Sequence, residues 1–139
     1  MTAVELIPQD ALGVLEASRA REKAQALYYR VLAAGAAGDA EATDRLNDLH
    51  ADEPHHLSRL TARLLELGHK PKDLSDVPVP AGNLLGWEAV AREREAGEVN
   101  WYEMMVALDL DRSTLAVLEE ILESERHHLS ELRGKWMPA

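Results

Sequence analysis

One pattern occurs twice in this chain: Glu22, Tyr29 and Glu53-Pro54-His55-His56, then Glu95, Tyr102 and Glu125-Arg126-His127-His128. The Glu-to-Tyr spacing is seven residues in both copies, and the interval from the first Glu to the second is 31 residues in one and 30 in the other. Such a duplication constrains the chain to two similar halves. The same offset of 72 to 73 residues pairs Tyr28-Tyr29 with Trp101-Tyr102, Leu46 with Leu118 and Leu57-Ser58 with Leu129-Ser130. The halves are expected to be related by a pseudo-twofold axis within one domain covering 1–139.

Helices are the expected building block. Aromatic residues make up only 4% of the chain, Phe is absent, and Leu, Ala, Glu and Arg dominate, a composition that favours helix over sheet. Asp10 can cap a helix over about 11–37, interrupted by Gly38-Asp39, and Asp39 can cap a second over 40–67 that stops at Gly68. Residues 68–82 hold Pro71, Pro78 and Pro80 and read as a connection that could span roughly 45–50 Å if extended. Asn83 is the expected cap of a third helix over 84–108. A turn from Asp109 to Ser113 leads to a fourth over 113–133, with Gly134 as its stop. The fold class is therefore all-α: a four-helix bundle of two helical hairpins joined by one long crossover.

The chain has no cysteine, so a metal here must sit on carboxylates and imidazoles, which suits hard or borderline ions. Its net charge of −10 repels nucleic acid and anionic membrane surfaces and draws cations. Met1 to Asp10 lacks the basic start and apolar run of a secretion signal, and no stretch has transmembrane length; a cytoplasmic protein is expected.

Residues three apart on a helix share a face, so Glu53 with His56, and Glu125 with His128, can each present an oxygen and a nitrogen to one point. The apolar stripe Leu115, Leu118, Leu122, Leu129 and Leu132 has Glu125 within it, aiming that pair at the core. Four unpaired carboxylates there, Glu22, Glu53, Glu95 and Glu125, would each cost several kcal/mol. Two divalent cations would balance their charge, with neutral His56 and His128 completing the coordination. One Glu from each of two helices plus a Glu-x-x-His from each of the other two is the ligand pattern of di-iron and di-manganese carboxylate bundles.

Glu95 and Glu98 are three apart, so either can serve; Glu95 is preferred because its spacing to Tyr102 repeats that of Glu22 and Tyr29, with Glu98 as the alternative. Pro54 inside the second helix removes a donor to the His50 carbonyl, at a cost of ~3 kcal/mol or a kink. His55 and His127 point about 100° away from the ligands and are expected at the surface. Tyr28, Trp87, Trp101, Met104 and Met105 are expected in packing, with Trp87 and Trp101 marking an interface of a homo-oligomer.

On these residues the chain resembles the ferritin-like superfamily, close to rubrerythrin-type and bacterioferritin-type proteins, over about Glu16 to Arg133. The likeness rests on the six ligand positions, on Tyr29 two turns beyond Glu22, and on Leu118-Glu119-Glu120-Ile121-Leu122 leading into Glu125 and His128. Residues 95–128 also resemble encapsulated ferritins. The resemblance implies oxidation of Fe(II) by O₂ or H₂O₂ at a centre of two iron ions, with manganese as the other metal the ligands suit. It implies Glu22 and Glu95 as terminal ligands, Glu53 and Glu125 as bridges, and one imidazole per metal from His56 and His128. Tyr29 and Tyr102 would each donate to a carboxylate of the opposite hairpin. Lacking a cysteine-bearing rubredoxin-like segment, the chain would need an external electron donor for a reductase role. The alternatives are a metal-binding or storage module without rapid turnover and a metal-free helical interaction protein.

Overall fold

The computed structural model describes residues 7–135, and side chains through Leu132; Met1 to Leu6, part of the amino-terminal segment considered above, lie outside them. Every regular element among the described residues is helical: α1 (Ala11–Gly35), α2 (Ala40–Ala51), α3 (Glu53–Glu66), α4 (Trp87–Val106) and α5 (Arg112–Lys135). Asp10 sits in extended backbone and its carboxylate accepts from the Gly13 N–H at 2.7 Å, starting α1. Asp39 does the same for α2 through the Ala42 N–H at 3.1 Å. Gly68, at φ 74°, turns the chain after α3, and the His69 N–H returns to the Leu64 carbonyl.

The second expected helix, 40–67, is two helices. The chain breaks at Asp52, which places Pro54 in the first turn of α3, where no intrahelical N–H is needed. The ~3 kcal/mol expected for an interior proline is thereby avoided, and Glu53 remains fully buried. Boundaries shift elsewhere for local reasons. α1 ends at Gly35 instead of 37. Asn83 accepts from the Leu85 N–H at 3.0 Å in a turn, and it is Gly86, at φ 70°, that feeds α4 three residues later than expected. α4 stops at Val106, two residues short of the expected end. α5 begins at Arg112, where Asp111 accepts from the Thr114 N–H at 3.0 Å, and it passes through Gly134 to Lys135 rather than stopping there.

Neighbouring helices run antiparallel. On α1 and α3, Arg19 meets Thr61 and Glu22 meets His56. On α1 and α4, Ser18 meets Trp101 and Tyr29 meets Glu95. On α3 and α5, Arg63 meets Thr114 and His56 meets Glu125. On α4 and α5, Glu103 meets Arg126 and Glu95 meets His128. Hence α3 and α4 point the same way, and the segment between them must return the chain to the opposite end. It does so along α1: the Lys72 N–H donates to Glu16 at 2.8 Å, Arg19 donates to the Lys72 carbonyl at 3.1 Å, and Gly82 lies against Leu32.

The apolar core is divided in two. Val14, Leu15, Leu60, Leu64, Tyr102, Met105, Leu118 and Ile121 form one cluster, and Tyr28, Tyr29, Leu32, Leu46, Leu49, Trp87, Ala91 and Leu132 the other. Trp87 is 3% exposed inside the second cluster, where it packs as part of the core. α4 turns Ala91, Glu95, Tyr102 and Met105 inward and leaves Val90 exposed. No helix among the described residues is long and apolar enough to cross a membrane.

Candidate metal centre

Between the two apolar clusters lies a buried polar layer. Glu22, Glu53, His56, Glu95, Glu125 and His128 are all less than 5% exposed. They converge in two overlapping groups, Glu22–Glu53–His56–Glu125 and Glu53–Glu95–Glu125–His128, in each of which the ligand atoms lie within 4.8 Å of one another. Glu53 and Glu125 belong to both. His56 Nδ1 is 3.4 Å from Glu22, 3.2 Å from Glu125 and 4.0 Å from Glu53. His128 Nδ1 is 3.7 Å from Glu95 and 3.6 Å from Glu125. The imidazole centroids are 6.5 Å apart, so each ring serves one group.

The Glu22 and Glu95 carboxylates are held from the opposite hairpin. Tyr29 donates to Glu95 at 2.6 Å and Tyr102 to Glu22 at 2.7 Å. These short bonds to ionised oxygens are the stronger kind. Tyr29→Phe or Tyr102→Phe is expected to destabilise the fold by about 2 kcal/mol and to weaken metal binding by roughly 10- to 100-fold. Urea unfolding and metal titration of the two variants check this.

Without a cation the layer is electrostatically strained. Burial pushes Glu53 well above its ordinary range, assisted by the charge of Glu22 beside it. Burial likewise lifts Glu125 to about 8, with Glu95 adding to the effect. Burial acts on Glu22 and Glu95 in the same direction, but the neighbouring Glu53 carboxyl, His56 and Tyr102 hold Glu22 below its usual value, and Glu125, His128 and Tyr29 bring Glu95 to about 2. Burial alone would lower both imidazoles; the carboxylates around them raise His56 to about 9 and His128 to about 11. These shifts favour the ionised forms of Glu22 and Glu95 and the protonated forms of Glu53, Glu125, His56 and His128.

Proton exchange leaves the hydrogen bonding incomplete. Both oxygens of Glu53, both of Glu125, Oε2 of Glu95 and Nδ1 of His128 are buried without a well-aligned hydrogen-bond partner among the described residues, an arrangement that native interiors rarely tolerate. These atoms belong to the two groups that could hold an ion. Buried oxygen and imidazole donors grouped in this way could hold a metal ion.

Glu98 is not in either group. It is 8% exposed, and its two oxygens accept from Arg21 at 2.9 and 3.2 Å; of the two glutamates left open above, it is Glu95 that the structure brings to the centre. His55 and His127 are exposed, 3.6 Å from Glu120 and 3.5 Å from Glu131. Trp101 is half-buried, donates to Ser18 at 3.0 Å and lies under the Arg21 guanidinium.

Four supporting residues escaped the sequence reading. Asp52, at the helix break, lies 2.7 Å from His128 Nε2. Gln25 donates to Glu95 at 3.3 Å and accepts from Arg94 at 2.9 Å, and Arg21 holds Glu98. The signal for three of them was present: Arg21 and Arg94, like Gln25 and Glu98, stand 73 positions apart, in register with the ligands. Comparisons with family models, curated proteins and solved structures find no match for this chain, so the case for a metal here rests on the geometry above.

Proposed function

We propose that this chain is a ferritin-like dimetal carboxylate protein that binds two iron ions and oxidises Fe(II) with O₂ or H₂O₂. The observation that carries the reading is the sharing of Glu53 and Glu125 by two buried ligand groups. Sharing makes room for two cations side by side, and two Fe(II) passing to Fe(III) supply the two electrons that reduce O₂ to H₂O₂, or H₂O₂ to water, with two protons taken up. Glu22 and Glu95 would bind terminally, Glu53 and Glu125 would bridge, and His56 and His128 would each bind one ion through Nδ1. The antiparallel packing, with 67–86 carrying the chain back along α1, supports the ferritin-like arrangement of two hairpins and one crossover.

The chain's own groups prepare the site. Tyr29 and Tyr102 keep the terminal carboxylates ionised and oriented, and the apolar clusters on either side exclude bulk water, which strengthens every charge interaction between them. Aspartates and glutamates on the exposed faces, with a net charge of −10 over the chain, raise the local concentration of cations. Manganese fits the same donors. A homo-oligomer, a cytoplasmic setting and an external electron donor for any reductase role belong to the same proposal.

Fe(II) oxidation is measured aerobically and with added H₂O₂ against buffer alone. Oxidation above the buffer rate that disappears in Glu125→Ala is the expected result. Oxidation that survives Glu125→Ala would sink the proposal, and tight binding with only the buffer rate would make the protein a storage or delivery module.

A further inference from the structure

The duplication allows the two ends of the centre to be compared residue by residue, and they differ in what stands behind the ligands. Offsets of 73 residues match Arg21 with Arg94, Gln25 with Glu98 and Tyr28 with Trp101, and an offset of 72 matches Asp52 with Ser124. Behind Glu95, Gln25 donates from Nε2 at 3.3 Å and is itself fixed by Arg94 at 2.9 Å, which lies 4.3 Å over the Tyr28 ring. Behind Glu22 the arginine and the aromatic ring recur, with Arg21 4.7 Å over Trp101. Here, however, the amide is replaced by Glu98, whose two oxygens are occupied by Arg21. A carboxyl group has no N–H to offer Glu22, and both oxygens of Glu98 are engaged by the guanidinium.

The imidazoles differ in the same sense. Asp52 stands 2.7 Å from His128 Nε2. His56 meets carboxylates only through Nδ1 among the described residues, and a serine occupies the position equivalent to Asp52. A carboxylate on the far nitrogen fixes the tautomer with Nδ1 free for metal and makes that nitrogen a better donor. The Gln25 amide similarly fixes Glu95 through Oε1, while Oε2 is buried with no hydrogen-bond partner among the described residues. Both differences favour one end.

We propose that the two metal positions are unequal and fill in order, the Glu95–His128 position first and the Glu22–His56 position second, with Asp52 and Gln25 as positioning residues that create the difference. The inference rests on the dimetal reading and adds an order to it. It stands on the asymmetric contacts of Asp52 and Gln25 and on the mismatch of the repeat at these two supporting positions.

Metal-stripped protein carrying ¹⁵N-histidine is titrated with Zn(II), a diamagnetic probe of the same charge, and the imidazole resonances are followed. The His128 resonances are expected to complete their shift by one equivalent and those of His56 during the second. Asp52→Ala should weaken the first step by about 10- to 100-fold and spare the second. Asp52 makes no side-chain cap bond to α3, so an unchanged helical circular dichroism spectrum is expected. Ser124→Asp should tighten the second step and draw the two together. His56 shifting first, both rings shifting in parallel, or Asp52→Ala weakening both steps equally would overturn the order while leaving two metals bound. No shift of either ring would overturn the order and the dimetal reading together.

Discussion

Glu53→Gln is expected to weaken binding at both metal positions at once, by more than about 100-fold, because Glu53 belongs to both ligand groups and even supporting residues of metal ligands typically account for 10- to 100-fold. The same substitution should leave the metal-free protein at least as stable as the parent. Glu53 is fully buried, neither of its oxygens has a hydrogen-bond partner among the described residues, and burial together with the Glu22 charge pushes its carboxyl well above the usual carboxylate range. A neutral amide of the same shape removes that conflict. The variant thus moves binding and stability in opposite directions, the mark of a group retained for ligation at the expense of the fold. Isothermal titration and chelator-treated thermal melts measure the two effects. A variant that melts well below the parent without metal would mean that Glu53 is structural.

The second large effect is an exchange of protons for metal. At pH 7 the metal-free centre carries protons on Glu53, on Glu125 with its carboxyl at about 8, on His56 at about 9 and on His128 at about 11. Ligation needs ionised carboxylates and imidazoles with Nδ1 free, so two divalent cations displace about four protons. The buried charge is zero in both states. About two protons per metal give an apparent affinity rising roughly 100-fold per pH unit near neutrality.

Stability follows from the same shifts. The native metal-free state holds protons that the unfolded chain releases, for Glu125 between 4.5 and about 8, for His56 between 6.5 and about 9, and for His128 between 6.5 and about 11. Its stability therefore falls as pH rises through those windows. Glu95, held at about 2, acts oppositely: it stabilises above 4.5, and that contribution is lost as pH falls toward 2. Chelated protein should lose melting temperature steadily from pH 6 to 9, whereas metal-loaded protein should hold nearly constant. Proton release on loading is read from titrations in buffers of different ionisation enthalpy; fewer than one proton per metal would contradict the assignment.

Much of this was legible in the chain because its signals are local and repeated. Side-chain caps at Asp10 and Asp39, the stop at Gly68 and the 3.6-residue stripe through Leu118, Leu122 and Glu125 each act within a few residues. The six buried carboxylate and imidazole residues announced themselves by recurring in one register. Pro54 announced trouble in the second helix but not its resolution: whether a proline kinks a helix or starts a new one depends on where the preceding residue breaks, and Asp52 breaks in a way that also brings it to His128. That contact joins residues 76 apart and has no local signature. The start of α4 was misplaced because Asn83 is a good cap by type, while the left-handed Gly86 decides the geometry. The spacing to Tyr102 favoured Glu95 over Glu98, and Arg21, from another helix, is what occupies Glu98.

The central claim is two metals per chain on one shared pair of carboxylates. An anaerobic Fe(II) titration of metal-stripped protein, read as metal bound per chain and followed by admission of air while the near-ultraviolet absorption of oxidised iron is recorded, tests it most directly. Saturation near two irons per chain, with that absorption growing on oxidation, is the result these residues predict. Saturation at one iron or none, or a stoichiometry unchanged in Glu53→Gln, would contradict it.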